Sequence, residues 1–270
     1  MEKILITGHT LTLEELAAVC RDNAPVALAP EAKQRILESR QVVDMLVDEA
    51  AVVYGITTGF GKFSDVTITQ DECRQLQRNL IVTHAVGAGD PFPRDVARGI
   101  MLLRVNNLAK GFSGTRLELV ETLVAMLNRG VTPVIPQKGS LGASGDLAPL
   151  SHMVLPMLGL GQAEYEGEVL PGDVAMERAG IPTVELVAKE GLALINGTQA
   201  MTSVGALAVY DAIGLMKAAD IAAAMSFEAN RGVEDALDPR VHAVRPHDGQ
   251  MKTAANLRNL LFGSGNVTCQ

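Results

Sequence analysis

Residues 139–150 contain a tripeptide, Ala143-Ser144-Gly145, that can cyclise on its own backbone. The Gly145 amide nitrogen can attack the Ala143 carbonyl carbon, because nothing bulky flanks it and glycine tolerates the strained backbone. Ser144 supplies the hydroxyl that leaves, and loss of two waters gives a 4-methylideneimidazol-5-one (MIO) ring whose methylidene accepts an amine. The alternative is an ordinary loop before a helix, since Ser-Gly-Asp ahead of an apolar run is common capping composition.

Two further motifs strengthen the chemical interpretation of this tripeptide. Residues 54–61 read Tyr-Gly-Ile-Thr-Thr-Gly-Phe-Gly, and residues 196–199 read Asn-Gly-Thr-Gln. Together with residues 139–150, and in this order along the chain, they resemble the aromatic amino acid ammonia-lyases. The resemblance runs from about Glu31 to about Ser264. It includes three more segments, at residues 79–84, 109–116 and 188–195.

The resemblance implies a fold, a reaction and a prosthetic group. The fold is mainly α, the N-terminal MIO-bearing portion of the all-helical aromatic amino acid lyase fold (fumarase/aspartase-like superfamily), with small strands. The reaction is non-oxidative loss of ammonia from an amino acid. MIO formed from Ala143-Ser144-Gly145 would be the only cofactor, with no metal and no diffusible cofactor. Members of the family are homotetramers, so self-association is expected.

His84 carries the expectation about the substrate. In this family the corresponding position meets the substrate's ring, and a Thr83-His84 pair is similar to the histidine-specific members, which convert L-histidine to trans-urocanate. Phenylalanine-specific members have an apolar pair there and tyrosine-specific members a histidine followed by leucine, whereas Ala85 follows His84. A lone helical histidine is more often a buried side chain or a C-terminal cap. A tyrosine or phenylalanine ammonia-lyase, or an aminomutase, is therefore the alternative.

Tyr54 is, by the same resemblance, the base that takes the substrate's β-proton. Elimination of ammonia combines a poor leaving group with a weakly acidic proton, so an enzyme must both activate the amine and supply a base. A free tyrosine has a pKa of about 10, so Tyr54 needs hydrogen-bond donors or positive charge nearby. Without its glycine-rich context, Tyr54 would be interpreted as a core ring with a satisfied hydroxyl.

Three other residues are expected to support the reaction. By resemblance the Asn196 amide contacts the substrate or the prosthetic group, although position alone suggests an N-cap of the following helix. Asp146 is expected to assist ring formation, to cap the helix after it, or to do both, and Gly142 permits a close backbone approach. The remaining histidines show no metal-ligand spacing, so no metal site is predicted. They are His9, His152, His242 and His247.

The length of the chain departs from the family pattern. The match of its 270 residues is to the N-terminal half of the family. In the family the other half supplies a long helical bundle, a carboxylate-binding arginine, and further tyrosine and glutamate residues of the site. We therefore expect a truncated or cleaved product of a longer chain, which alone need not be active, with the C-terminal half as its partner. A catalytically silent helical oligomer is the alternative from another class.

Composition argues against several other classes. Hydrophobic residues make up 47% of the chain and charged residues 20%, which is ordinary for a globular protein with a buried core. A net charge of -8, without a lysine or arginine run, argues against nucleic acid or an anionic membrane surface as the main partner. No signal-peptide core or membrane span is predicted. The three cysteines lack disulfide or metal spacing, which favours a cytoplasmic location. They are Cys20, Cys73 and Cys269.

Local patterns predict the elements that would position these residues. Thr12-Leu-Glu-Glu15 has capping-box form, and Pro30 begins an amphipathic helix running to about Val52. Residues 164–183 are interpreted as loop with a small hairpin, and 197–231 as one long buried helix or two in line. Further helices are predicted at about 69–84, 93–109 and 115–129, and after Asp146. No linker is evident, so residues 1–270 are predicted to be a single MIO-bearing domain that runs into the start of a central helical bundle.

Overall fold

The computed structural model describes residues 3–49, 51–53, 55–56, 58, 70–141 and 145–267. These residues form two compact units, and the division falls between Leu207 and Ala208. The single-domain interpretation of residues 1–270 stays a prediction. Among the described residues, no helix combines the length and apolarity needed to cross a membrane.

Helices dominate the first unit. In chain order they are α1 (Leu13–Arg21), α2 (Pro30–Asp48), α3 (Gln70–His84), α4 (Arg94–Leu108), α5 (Leu117–Arg129), α6 (Leu147–Val154), α7 (Gly172–Arg178), α8 (Glu190–Ile195) and the first turns of α9 (Gln199–Ala229). The predicted capping box is present at the start of α1, where Thr12 and Glu15 bond reciprocally. Pro30 opens α2 as predicted, although α2 ends before Val52. Helices α3, α4 and α5 confirm the three central helical predictions.

Short strands connect these helices. Strands β1 (Ile4–Ile6) and β2 (Val26–Leu28) pair in parallel, while β3 (Ala88–Pro91) and β5 (Pro136–Lys138) pair antiparallel. Strands β4 (Thr132–Pro133), β6 (Gln162–Tyr165) and β7 (Glu168–Pro171) form an antiparallel sheet in the order 4-6-7. The predicted mainly α fold with small strands is confirmed.

Helix α4 lies in the core of the first unit and is buried on several sides. Ile100, Met101 and Leu102 are consecutive residues, so they point in different directions around the helix, yet all three are fully buried. The helix packs against α1, α5 and α6. Two arginines of the same helix, Arg98 and Arg104, are also among the largest fully buried side chains. A charge in this position is costly unless hydrogen bonds satisfy it.

The stretch at 164–183 contains an element that the sequence pattern did not predict. The expected hairpin is present as β6 and β7, but α7 follows it directly. Gly172 begins α7 and packs closely, because a Cβ there would overlap the Leu160 carbonyl oxygen. Gly180 lies just beyond α7 with φ of +65°, a conformation that favours glycine.

The second unit contains the rest of α9, followed by α10 (Pro239–Ala243) and α11 (Asp248–Leu261). Its described core is small and centres on Ala224, Leu237 and Leu261. Helix α9 is continuous, so of the two predictions for residues 197–231, one long helix is confirmed and two helices in line is not. The prediction that this helix is buried is wrong. A helix that is apolar on several faces needs neighbours on all of them, and most of its large apolar side chains are exposed. They are Met201, Val204, Val209, Ile213, Leu215, Met216, Ile221 and Met225.

Candidate active site

Gly145, the last residue of the Ala-Ser-Gly tripeptide, lies beside Gly197 of the 196–199 motif. The two residues form an isolated parallel β-bridge. In addition, the Leu141 backbone N–H donates to the Gly145 carbonyl at 3.0 Å, which holds together the residues that flank 142–144. The fold therefore joins two of the three motifs that were singled out in the sequence.

Asp146 follows the tripeptide, and only 1% of its surface is exposed. It occupies the N-cap position of α6, but its carboxylate makes no capping hydrogen bond to that helix. Instead, Oδ1 accepts from the Ser140 hydroxyl, and Oδ2 accepts from the Met201 backbone N–H at 3.0 Å. Since Met201 is in the first turn of α9, the carboxylate caps α9. The interpretation of Asp146 as a cap of its own helix is wrong, because donors from outside α6 take its oxygens.

Asn196 ends one helix and does not begin the next. It is the C-cap residue of α8, and its N–H donates to the Leu192 carbonyl at 2.9 Å. Helix α9 begins only at Gln199. The N-cap interpretation of Asn196 is therefore wrong, because Gly197 and Thr198 separate this residue from the helix. Its contact with substrate stays a prediction.

Arg104 supports the same turn, and the sequence analysis did not identify it. Its Nη1 donates to the Ala193 carbonyl at 3.2 Å and to Asn107 Oδ1 at 3.3 Å. Its Nη2 donates to the Asn196 carbonyl at 2.9 Å and to Gln199 Oε1 at 2.6 Å. The available signal was a positive charge placed directly between two apolar residues, Leu103 and Val105, in a predicted helix. Its buried neighbours on α4 include Ile100, Met101, Val105 and Leu108.

Two buried polar contacts fix α8, which ends at the candidate site. The carboxylate of Glu190 is fully buried and accepts from the Arg116 guanidinium, from the Arg116 backbone N–H and from the Val187 N–H, each at 3.0 Å. Hydrogen bonding to Glu190 raises the pKa of Arg116. On α3, Gln77 Oε1 accepts from the Gly191 N–H at 2.8 Å. Helix α3 is thereby held against α8.

His84 is the last residue of α3, and its side chain is half-buried. Its Nδ1 lies 2.8 Å from the Leu80 carbonyl oxygen, so in the neutral ring Nδ1 carries the proton and donates. This tautomer leaves Nε2 as an acceptor. The Thr83 hydroxyl donates to the Asn79 carbonyl at 2.7 Å and lies farther from His84 Nδ1, at 3.4 Å. Helix α3 also packs against α6, which follows the tripeptide in sequence, and against α8, which precedes Asn196.

Four of the predicted site residues lie outside the residues that the structure describes. They are Tyr54, Gly142, Ala143 and Ser144. Two residues after Tyr54 in sequence, Ile56 is buried, and its carbonyl accepts a hydrogen bond from Cys73 Sγ at 3.8 Å. Because Cys73 belongs to α3, the segment just after residue 54 is linked to the helix that carries His84.

One further histidine, His152, and the two described cysteines have half-buried or buried side chains. His152 on α6 accepts the Gly87 N–H at Nε2, at 3.0 Å, and burial lowers its pKa. Burial raises the pKa of Cys20 to about 12, and it also raises that of Cys73. Such thiols are poor nucleophiles, because the reactive form is the thiolate. Within the described ranges, no group of three or more His, Cys, Asp or Glu residues could hold a metal ion.

The family model for aromatic amino acid lyases matches residues 11–270. The chain belongs to the aromatic amino acid lyase family. Over all 270 residues it is 58% identical to a histidine ammonia-lyase of Clostridium tetani strain Massachusetts / E88 and 60% identical to one of Alkaliphilus oremlandii strain OhILAs. These matches cover 52% and 53% of the two relatives, so the chain spans about half the length of the curated relatives it matches.

Solved structures of this family have the same fold. A histidine ammonia-lyase from Trypanosoma cruzi is 40% identical, with a TM-score of 0.89, over 95% of this chain and 50% of that one. A tyrosine aminomutase from Streptomyces globisporus is 37% identical, with a TM-score of 0.91, over 99% of this chain and 51% of that one. These relatives share a helical fold but act on different amino acids, so the fold alone does not identify the substrate.

Membership in this family implies an MIO electrophile, and the residues present fit that group. The tripeptide has the required side chains, a methyl group, a hydroxyl and a hydrogen atom. On either side of residues 142–144, the described residues Leu141 and Gly145 are hydrogen-bonded to each other. Immediately after the tripeptide, Asp146 is buried, and each of its carboxylate oxygens accepts a hydrogen bond, one from Ser140 and one from Met201.

Proposed function

We propose that the whole protein is a histidine ammonia-lyase, which eliminates ammonia from L-histidine to give trans-urocanate. The observation that carries the proposal is the pairing of Gly145, the last residue of the tripeptide, with Gly197 of the 196–199 motif. The relatives named histidine ammonia-lyase, which match the entire chain, support the choice of substrate. We propose that Ala143, Ser144 and Gly145 form the MIO group.

The MIO group would supply a methylidene carbon that accepts the substrate amine and makes nitrogen a better leaving group. Tyr54 is proposed to take the β-proton, because an elimination needs a base on the substrate's carbon side. The Asn196 amide is proposed to steady negative charge on the ring oxygen, as a neutral donor can. Asp146 and Gly142 would support the loop that contains the tripeptide.

His84 is proposed to recognise the imidazole of the substrate. The bond from Nδ1 to the Leu80 carbonyl fixes the tautomer in which Nε2 accepts a hydrogen bond. An imidazole N–H of L-histidine is a donor that matches this acceptor. The ring of phenylalanine has no such donor, so burying Nε2 against it would leave the acceptor unsatisfied. This argument favours histidine over phenylalanine.

Self-association and completion of the site by further chain are also proposed. The chain spans about half the length of the histidine ammonia-lyases it matches, and α9 exposes many large apolar side chains. We propose that a C-terminal half of this kind and further copies of the chain, as in a homotetramer, cover this surface. A cytoplasmic location stays a prediction.

The test is a substrate panel with the protein expressed from its full reading frame, after peptide mass mapping has verified loss of two waters at residues 143–145. L-histidine, L-tyrosine and L-phenylalanine are supplied separately, and the products are identified by mass and chromatography. We expect urocanate and ammonia from L-histidine alone. A verified ring with no urocanate would overturn the histidine assignment, and a β-amino acid product would identify an aminomutase.

A further inference from the structure

Helix α4 contains two buried arginines with different partners. Both are at most 1% exposed, and burial lowers the pKa of each to about 10. The Arg98 guanidinium donates to the main-chain carbonyls of Val19 and Leu127, which belong to α1 and α5. Arg104 instead donates to the segment around residues 193–199. The two residues therefore stabilise different parts of the first unit.

The Arg104 guanidinium lies directly against the backbone of Gly197. A Cβ added at Gly197 would overlap both Arg104 Nη2 and Gln199 Oε1. The same Nη2 donates to the carbonyl oxygen of Asn196 and to Gln199 Oε1. One planar cation thus contacts the turn on both sides of Gly197, and a glycine is needed there to allow the approach.

This turn also contacts the tripeptide. Gly197 forms the β-bridge with Gly145, and the residue after Gly145, Asp146, binds the Met201 N–H in the first turn of α9. The negative charge of Asp146 opposes the loss of positive charge from Arg104 in its buried surroundings. The guanidinium, the turn, Gly145 and the start of α9 are therefore connected through a series of buried and partly buried contacts.

We infer that Arg104 is a positioning residue for formation of the MIO group, because it fixes the turn against which Gly145 is paired. The inference rests on the proposed function. In ring closure the Gly145 nitrogen bonds to the Ala143 carbonyl carbon, and that carbonyl oxygen leaves as water with the Gly145 and Ser144 amide protons. The Ser144 hydroxyl and its α-proton leave as the second water, so no oxidant or reductant is required. Arg104 does not touch the reacting atoms and acts through Gly197.

A neutral residue could not replace Arg104 in this position. Its two terminal nitrogens satisfy four acceptors, two of them main-chain carbonyls at the end of α8. Lysine keeps the charge, but it lacks the planar fork that reaches both sides of the turn. Arg104→Lys is therefore the variant that separates charge from geometry, and Arg104→Met removes both.

The experiment measures the fraction of tripeptide that has lost two waters, by peptide mass mapping of the soluble folded protein expressed from its full reading frame. Arg98→Met is the matched control, because it removes an equally buried arginine from the same helix. Thermal unfolding is recorded for every variant. We expect Arg104→Met and Arg98→Met to lower Tm comparably, and only the Arg104 variants to slow dehydration.

For Arg104→Lys we expect dehydration to slow about tenfold or more, because lysine loses at least one of the charge-assisted hydrogen bonds that arginine makes. Gln199→Met removes a single acceptor and keeps the fold accessible if both Arg104 variants are insoluble; we expect it to slow dehydration by a smaller factor. Complete dehydration at the wild-type rate in the soluble variants would overturn the inference while leaving the proposed function intact. An unmodified tripeptide in the wild-type protein would overturn both.

Discussion

Helices α4 and α9 are both rich in apolar residues, yet one is buried and the other is exposed. On α4, Ile100 and Leu102 are fully buried, whereas on α9 Leu215 is 70% exposed and Met225 is 67% exposed. The difference shows that apolar composition indicates a need for neighbours and does not specify which neighbours satisfy it. For α4 they are α1, α5 and α6. For α9 the described residues supply only some of them.

Truncation of one leucine in each helix should give the largest contrast. We expect Leu102→Ala to lower the free energy of unfolding by about 2–5 kcal/mol, because it leaves a cavity in a packed core. Leu215→Ala should change it by less than about 0.5 kcal/mol, since an exposed side chain leaves no cavity. Urea titrations followed by the helical circular dichroism signal measure both. An equal loss in the two variants would show that α9 is covered in solution.

A methyl group added to one glycine in each helix should change the free energy of unfolding in opposite directions, which sharpens the same contrast. A Cβ at Gly99 would overlap the Ser203 hydroxyl, which itself donates to the Val96 carbonyl at 2.8 Å. We expect Gly99→Ala to cost about 1–3 kcal/mol through overpacking. Nothing lies within 4 Å of a Cβ at Gly205, so Gly205→Ala should stabilise the helix by about 0.5–1 kcal/mol. Thermal unfolding of the two variants under matched conditions distinguishes these outcomes, and a destabilised Gly205→Ala would argue for a close neighbour at α9.

Polar substitution on α9 should have the smallest effect on stability but a clear effect on association. We expect Leu215→Gln with Met225→Gln to change the free energy of unfolding by less than about 0.5 kcal/mol and to reduce self-association of the 270-residue chain. Sedimentation velocity over a range of concentrations measures the association. Val169→Gln, at an exposed apolar residue of β7, is the control and should leave association unchanged. Unchanged association in the α9 double variant would locate the self-associating surface elsewhere.

Local sequence patterns predicted the elements better than the contacts of the candidate site. The capping box of α1 and the bounds of α4 depend on neighbouring residues, so a pattern within one segment was sufficient. Asp146 and Asn196 were both interpreted as caps of the helix that follows each of them. The Asp146 carboxylate instead binds the N–H of Met201 on α9, and the Asn196 carbonyl accepts from Arg104 on α4; local position reveals neither contact. Arg104 was missed for the same reason, since its acceptors lie beyond residue 190 except for Asn107 on its own helix.

Glycines illustrate the same limit in another way. Gly130 ends α5 in the left-handed region, as its position after a periodic helix predicts. Gly172 and Gly197, in contrast, are needed where another part of the chain approaches their backbones. A single sequence does not distinguish these two reasons for glycine, so the glycines of residues 164–183 did not reveal that α7 begins at Gly172.

The bond between Asp146 and the Met201 N–H also has a consequence for the order of events during protein synthesis. A ribosome makes the chain from its N-terminus, so the Ala-Ser-Gly tripeptide leaves the exit tunnel before the first turn of α9 does. Until that turn emerges, Asp146 lacks its α9 partner and Gly145 lacks Gly197. Any maturation step that needs these contacts therefore waits until the first turn of α9 has been synthesised. Synthesis of that turn sets the earliest time at which the preceding loop can mature.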